Sequence, residues 1–233
     1  MIGCGGDHDL KKDAPPSSAS ADQDADSSNS IRWLALGDSY TIGESVAESE
    51  RWPVQLAALL RKEGVQLASP TIVARTGWTT GELLGGINTA QPAGEFDIVS
   101  LLIGVNNQFR GLDEDAYVRD LDELFALAIK FAGGDPSRVV VLSIPDWGVT
   151  PFAANYDHAN IASEIDRFNQ LMRDRAKVLG CPFVDVTPQS REAADDPSLL
   201  ASDGLHPSGK MYAAWCELAL PTVRQAVSSE SKD

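Results

Sequence analysis

Five short apolar runs constrain this chain more than any other feature: residues 31–36, 71–74, 98–103, 138–144 and 182–186. Each is too short to span anything but a sheet, and stretches with helical spacing lie between them. Trp52, Leu56, Leu59 and Leu60 repeat at that spacing within 52–63, with Pro53 suited to a first turn and Gly64 to the stop. A shorter helix is predicted over 80–87, capped by Thr79 or Thr80. Val118, Leu121, Phe125, Ala128 and Phe131 form a stripe within 115–132, ended by Gly133 and Gly134. Ile161, Ile165, Phe168, Met172, Ala176 and Leu179 do the same within 156–179, which Gly180 closes. A last helix is predicted from Pro207, with Tyr212, Trp215 and Leu218 inside it and Pro221 expected to kink or restart it. Strands alternating with helices predict an α/β fold, a parallel sheet between two helical layers. The run at 98–103 is apolar almost throughout, as expected of a strand covered on both faces. No repeat and no linker interrupts residues 31–228, which therefore read as one domain.

The flanks differ in kind. Residues 1–30 are rich in Ser, Asp, Ala and Gly and nearly devoid of large apolar side chains. Such a segment cannot bury enough surface to offset its ordering entropy, so a disordered tether is expected there and a disordered tail over 229–233. Met1-Ile2-Gly3-Cys4-Gly5 is similar to the end of a bacterial lipoprotein signal, which makes Cys4 a candidate lipid anchor. The apolar region of a signal peptide is missing ahead of it, so two locations stay open: the cell envelope if an upstream segment exists, the cytoplasm otherwise. The anchor is the only membrane attachment expected. A net charge of −15 over 233 residues argues against nucleic acid as a partner, since phosphates demand a basic surface. The three cysteines, Cys4, Cys181 and Cys216, and the three histidines, His8, His158 and His206, form no metal-binding spacing. Cys181 and Cys216 read as buried thiols.

In a parallel sheet the carboxyl ends of the strands share one rim, and ligand sites form there. Ser39 follows the first run, Gly77 the second, Asn106 the third, and Asp203 and His206 lie beyond the fifth. A serine hydroxyl becomes a nucleophile when an imidazole takes its proton, and His206 suits that role. Asp203, three residues earlier, can reach the other ring nitrogen across a tight turn and fix the tautomer. The N–H groups of Ser39 and Gly77, with the Asn106 amide, suit an oxyanion hole. Trp78, Phe109 and Trp147 adjoin the same rim as candidate pocket walls, although core packing explains them equally well. Ser39 also reads as a helix cap, and Arg75 as an ion-pair partner. Gly204 to Lys210 spells G-x-x-x-x-G-K, but Met211 replaces the magnesium-binding Ser or Thr and Pro207 removes an N–H, so nucleotide binding is not expected.

Together these blocks resemble the SGNH hydrolases, the GDSL lipase/esterase family: Gly37-Asp38-Ser39, Gly77, Gly104-Val105-Asn106 and Asp203-Gly204-Leu205-His206-Pro207, in family order. The resemblance implies a three-layer, flavodoxin-like fold with strand order 2-1-3-4-5. It implies Ser39, Asp203 and His206 as the catalytic set, Ser39, Gly77 and Asn106 as the oxyanion hole, and neither metal nor cofactor. Asn107 stands where the family often has Asp, a change expected to act on loop hydrogen bonding. The expected activity is hydrolysis of small carboxylic esters through an acyl-enzyme, with acetylated carbohydrates among the substrates. A silent carbohydrate-binding module, a thioesterase, a lysophospholipase and an acyltransferase remain as alternatives on the same fold.

Overall fold

A computed structural model describes residues 30–228. The expected tether with Cys4 and His8, and the expected tail at 229–233, lie outside the described residues. All five apolar runs form strands: β1 (Trp33–Gly37), β2 (Thr71–Ala74), β3 (Ile98–Leu102), β4 (Val139–Leu142) and β5 (Phe183–Val184). They pair in parallel in the order β2-β1-β3-β4-β5. β1, β3 and β4 are buried along their whole length, whereas the edge strand β2 is only partly buried. That division follows from the layers, because only the central strands are covered on both faces.

The helices are α1 (Ser39–Ile42), α2 (Trp52–Lys62), α3 (Thr80–Ala90), α4 (Val105–Phe109), α5 (Glu114–Phe131), α6 (His158–Leu179), α7 (Thr187–Arg191) and α8 (Gly209–Ser228). α2 and α8 pack together on one face of the sheet, and α3, α5 and α6 on the other. α8 runs unbroken through Pro221. Among the described residues no helix is long and apolar enough to cross a membrane. Cys181 and Cys216 are both free and buried, and burial pushes their thiols up to about 11 and 12.

Three differences from the sequence reading have local causes. β5 is only two residues long because the Ser143 hydroxyl takes the N–H groups of Val186 (2.8 Å) and Thr187 (3.0 Å), drawing the chain out of the ladder. The buried stripe of α5 uses Tyr117 in place of Val118, and the Tyr117 ring packs on Phe168 of α6 at 4.7 Å between centroids. α6 starts at His158, since the Asp157 side chain caps it by accepting the Asn160 N–H at 3.0 Å.

Candidate active site

The turn after β1 is built around two buried residues. A Cβ on Gly37 would lie 2.2 Å from Thr41 Oγ1 and 2.5 Å from the Leu102 carbonyl, so only glycine lets β1 end this close to β3. Asp38 caps α1 by accepting the Tyr40 N–H on Oδ1 at 3.0 Å, so the cap is Asp38 and Ser39 is the first helical residue. Asp38 Oδ2, Thr41 Oγ1 and the Tyr117 hydroxyl are buried without a protein partner among the described residues. Burial pushes the Asp38 carboxyl up to about 7, against the opposing pull of the Tyr40 N–H.

A raised carboxyl makes stability depend on pH in a defined direction. The folded state holds the Asp38 proton more tightly than the unfolded chain, so stability falls as pH rises from about 4 to about 7, by roughly 1.4 kcal/mol per pH unit for this group. Asp38→Asn mimics the protonated form. The variant is expected to be nearly neutral at pH 5 and to gain on wild type at pH 8. Urea unfolding of both proteins at the two pH values checks this; an equal difference at both would contradict it.

On the far side of the rim, the turn at 203–206 is held by one carboxylate. Asp203 Oδ1 accepts the N–H groups of Leu205 (3.0 Å) and His206 (2.9 Å). Asp203 Oδ2 accepts the His206 Nδ1–H at 2.7 Å and the Ser45 hydroxyl at 2.6 Å. Burial works against the Asp203 charge, but the Ser45 hydroxyl, the His206 ring and the two N–H groups outweigh it and hold the carboxyl well below the usual range. An ionised carboxylate only accepts hydrogen bonds, so His206 Nδ1 carries a proton, and in the neutral ring the lone pair is on Nε2. The Tyr40 ring packs on the imidazole, 5.6 Å between centroids.

Ser39 and His206 line one small cavity, of about 90 Å³, together with Asn106, Phe109 and Trp147. Both are largely buried, at 5% and 8% exposure. Tyr40, Val105, Phe152 and Leu205 complete the wall, and of these Phe152 carried no sequence signal. Trp78 is not in this wall; it lines a separate hollow beside β2, its ring over Gly86. Ser45 is the other residue that the sequence left unmarked. It sits 158 positions from Asp203, in the left-handed region at φ +63°, where no motif points to it.

The loops after β2 and β3 are tied together. Asn106 Nδ2 donates to the Trp78 carbonyl at 2.9 Å, and the Arg110 guanidinium donates to the Gly77 carbonyl. The second Asn106 Nδ2 proton and the Gly77 N–H have no protein acceptor among the described residues. Gly77 is not among the residues that line the cavity. Gly104, at φ +127°, has no room for a Cβ, which would fall 2.8 Å from the Tyr117 hydroxyl. Asn107 acts on the loop hydrogen bonds. Its Oδ1 accepts the Thr80 N–H (3.0 Å) and its Nδ2 donates to Thr80 Oγ1 (2.7 Å). Thr80 gives its own hydroxyl proton to Asp120 at 2.6 Å, so only a donor suits the place that Asn107 fills. Arg75 is exposed and makes no ion pair among the described residues. Lys210 is engaged by Asp196 at 2.7 Å, away from any phosphate cradle. No group of three or more His, Cys, Asp or Glu among the described residues is placed to hold a metal ion.

Comparison with solved structures finds the same fold repeatedly. TesA superposes with a TM-score of 0.64 at 18% identity, covering 84% of this chain and 99% of its own. A lipolytic protein of the G-D-S-L family from Veillonella parvula gives 0.63 at 18%, with 82% and 97% covered. A protein described as the acetyl xylan esterase AlAXEase gives 0.64 at 16%, with 83% and 100% covered. Comparison with curated proteins gives no match. Residues 35–214, which hold the Gly37-Asp38-Ser39 turn, the Asn106 loop and the Asp203–His206 pair, match the GDSL-like lipase/acylhydrolase family, and the protein belongs to it.

Proposed function

We propose that the protein is a serine esterase acting on carboxylic esters of short acyl chains, acetylated carbohydrates among them. The observation that carries this reading is the 2.7 Å bond from His206 Nδ1–H to Asp203, which leaves Nε2 as a base in the cavity that Ser39 lines. In the reaction, Ser39 Oγ adds to the ester carbonyl carbon as its proton passes to His206 Nε2. The charge developing on the carbonyl oxygen meets the Ser39 and Gly77 N–H groups and the uncommitted Asn106 Nδ2 proton. Collapse breaks the acyl–oxygen bond, and the alcohol leaves with the proton from Nε2. Water then gives a proton to Nε2 and its oxygen to the acyl carbon, releasing the acid and restoring Ser39. Asp203 stays ionised throughout and stabilises the transient imidazolium.

The size of the cavity supports the short acyl chain. A cavity of about 90 Å³ suits an acyl group of a few heavy atoms. A fold-mate described as an acetyl xylan esterase is in keeping with an acetyl group. With p-nitrophenyl esters from acetate to laurate, kcat/KM is expected to be greatest at acetate or butyrate and to fall by about tenfold or more at laurate. Rising values toward laurate would remove the short-chain assignment, and no turnover of any ester would remove the esterase reading.

A further inference from the structure

The wall formed by Phe109 and Trp147 has a second side. One side faces Ser39 and His206; the other faces a hollow of about 240 Å³ at the start of α6. Tyr156 stands over this hollow, its ring 5.1 Å from Trp147 and 6.3 Å from Phe109 between centroids. Phe152 stacks beside Tyr156 at an interplanar angle of 17°. Phe109, Phe152 and Tyr156 are 45%, 45% and 48% exposed, a continuous aromatic surface left in water beside the candidate nucleophile.

The floor is polar and wired to the aromatic wall. Trp147 Nε1–H donates to Gln108 Oε1 at 2.8 Å, and Gln108 Nε2–H donates to Glu164 at 2.7 Å. Asn160 Nδ2–H donates to the other Glu164 oxygen at 2.9 Å. Glu164 is thus held by two amides, and it lines the hollow. Asp157 caps α6 through Oδ1 and also lines the hollow. No lysine or arginine lines either cavity. A phosphate, sulfate or carboxylate on the leaving group would meet Glu164 and Asp157 without a counter-charge. A hydrocarbon chain would strip water from those carboxylates and offer no donor in its place, which is costly. Hydroxyl donors satisfy them, and the C–H face of a sugar ring suits exposed aromatic rings.

We propose that this hollow is the leaving-group subsite and takes a neutral polyol, a pyranose ring lying against Tyr156 and Phe109 with hydroxyls donated to Glu164 and Asp157. The assignment rests on Ser39 being the nucleophile, and it extends that reading from the acyl group to the alcohol. The two halves of the ester then meet beside Phe109 and Trp147, which line both cavities, with the acyl part on the Ser39 side.

The test compares two acetyl esters that differ only in the alcohol: p-nitrophenyl acetate and a monoacetylated methyl glycoside with its other hydroxyls free. The readout is the ratio of kcat/KM for the sugar ester to that for the nitrophenyl ester. In Tyr156→Ala and in the near-isosteric Glu164→Gln, this ratio is expected to fall by about tenfold or more, mainly through KM of the sugar ester. Free methyl glycoside is expected to inhibit wild-type hydrolysis of p-nitrophenyl acetate competitively, and less so in both variants. Ratios within about twofold of wild type in both variants would overturn the subsite, as would a wild type that hydrolyses the nitrophenyl ester but not the sugar ester. Preference for acyl-CoA or lysophospholipid over the sugar ester would also overturn it. Failure of wild type on every ester is a different result, since it removes the nucleophile assignment itself.

Discussion

Ser39→Ala is expected to lower kcat for ester hydrolysis by at least about 10³-fold while the protein stays folded. The Ser39 side chain lines the cavity that His206 shares, and no hydrogen bond of the fold depends on its hydroxyl among the described residues. The first turn of α1 is capped by Asp38, so removing the Ser39 oxygen leaves the turn intact. What remains in the variant is substrate binding and the oxyanion donors, which act without a nucleophile. The measurement is kcat with p-nitrophenyl acetate beside thermal unfolding of the same sample. Turnover within tenfold of wild type would show that another group attacks the ester. A parallel loss of folding would shift the cause from chemistry to structure.

Asp203→Asn is expected to cost about 10⁴-fold in kcat with little change in KM, by analogy with serine protease triads. Asn has nearly the same shape but offers an amide where the carboxylate accepts. Oδ2 receives both the His206 Nδ1–H and the Ser45 hydroxyl, so one substitution disturbs two donors at once. If the amide nitrogen faces His206, the ring is driven to the opposite tautomer and loses its lone pair at Nε2. If the amide oxygen faces His206, the tautomer survives but the charge that stabilises the imidazolium is gone. Retention of more than about a tenth of wild-type kcat would make the carboxylate dispensable and leave a Ser–His dyad. Unchanged kcat with a lower melting temperature would assign Asp203 to the turn alone, through its bonds to the Leu205 and His206 N–H groups.

Much of this arrangement was legible because strand ends are legible. Apolar runs stop at Gly37, Ala74, Leu102 and Val184, and the residues just beyond them in a parallel sheet converge by topology alone. Ser39 and Asn106 meet in one cavity for that reason, and His206 joins them from the turn at 203–206, beyond α7. Direction at short range was less legible. Trp78 is adjacent to Gly77 in sequence, yet its ring lies over Gly86 on α3, because the Trp78 carbonyl rather than its ring is what Asn106 holds. α1 and α4, of four and five residues, are too short for a 3.6-residue period to show. On α5, Tyr117 and Val118 are both apolar enough to belong to the stripe, and only the Phe168 ring on the facing helix selects the tyrosine. Ser45 left no trace at all. Its role depends on a non-glycine residue at positive φ, and that conformation has no pattern in sequence.

The bond from Ser45 to Asp203 has a further consequence for the order in which the protein is made. It joins positions 158 apart, and the neighbouring ties between α2 and α8 span similar distances: Cys216 to Trp52 across 164 positions and Arg224 to Glu63 across 161. Ser39 leaves the ribosome well before His206 does. Closing a loop of that length costs little more than closing one half as long, about 0.6 kcal/mol per doubling, but it delays the meeting of the two ends. On the proposed mechanism, a nascent chain carries Ser39 without its base until the segment holding His206 has been made. On the same reading, the first molecule able to open an ester is one whose α8 has already docked against α2.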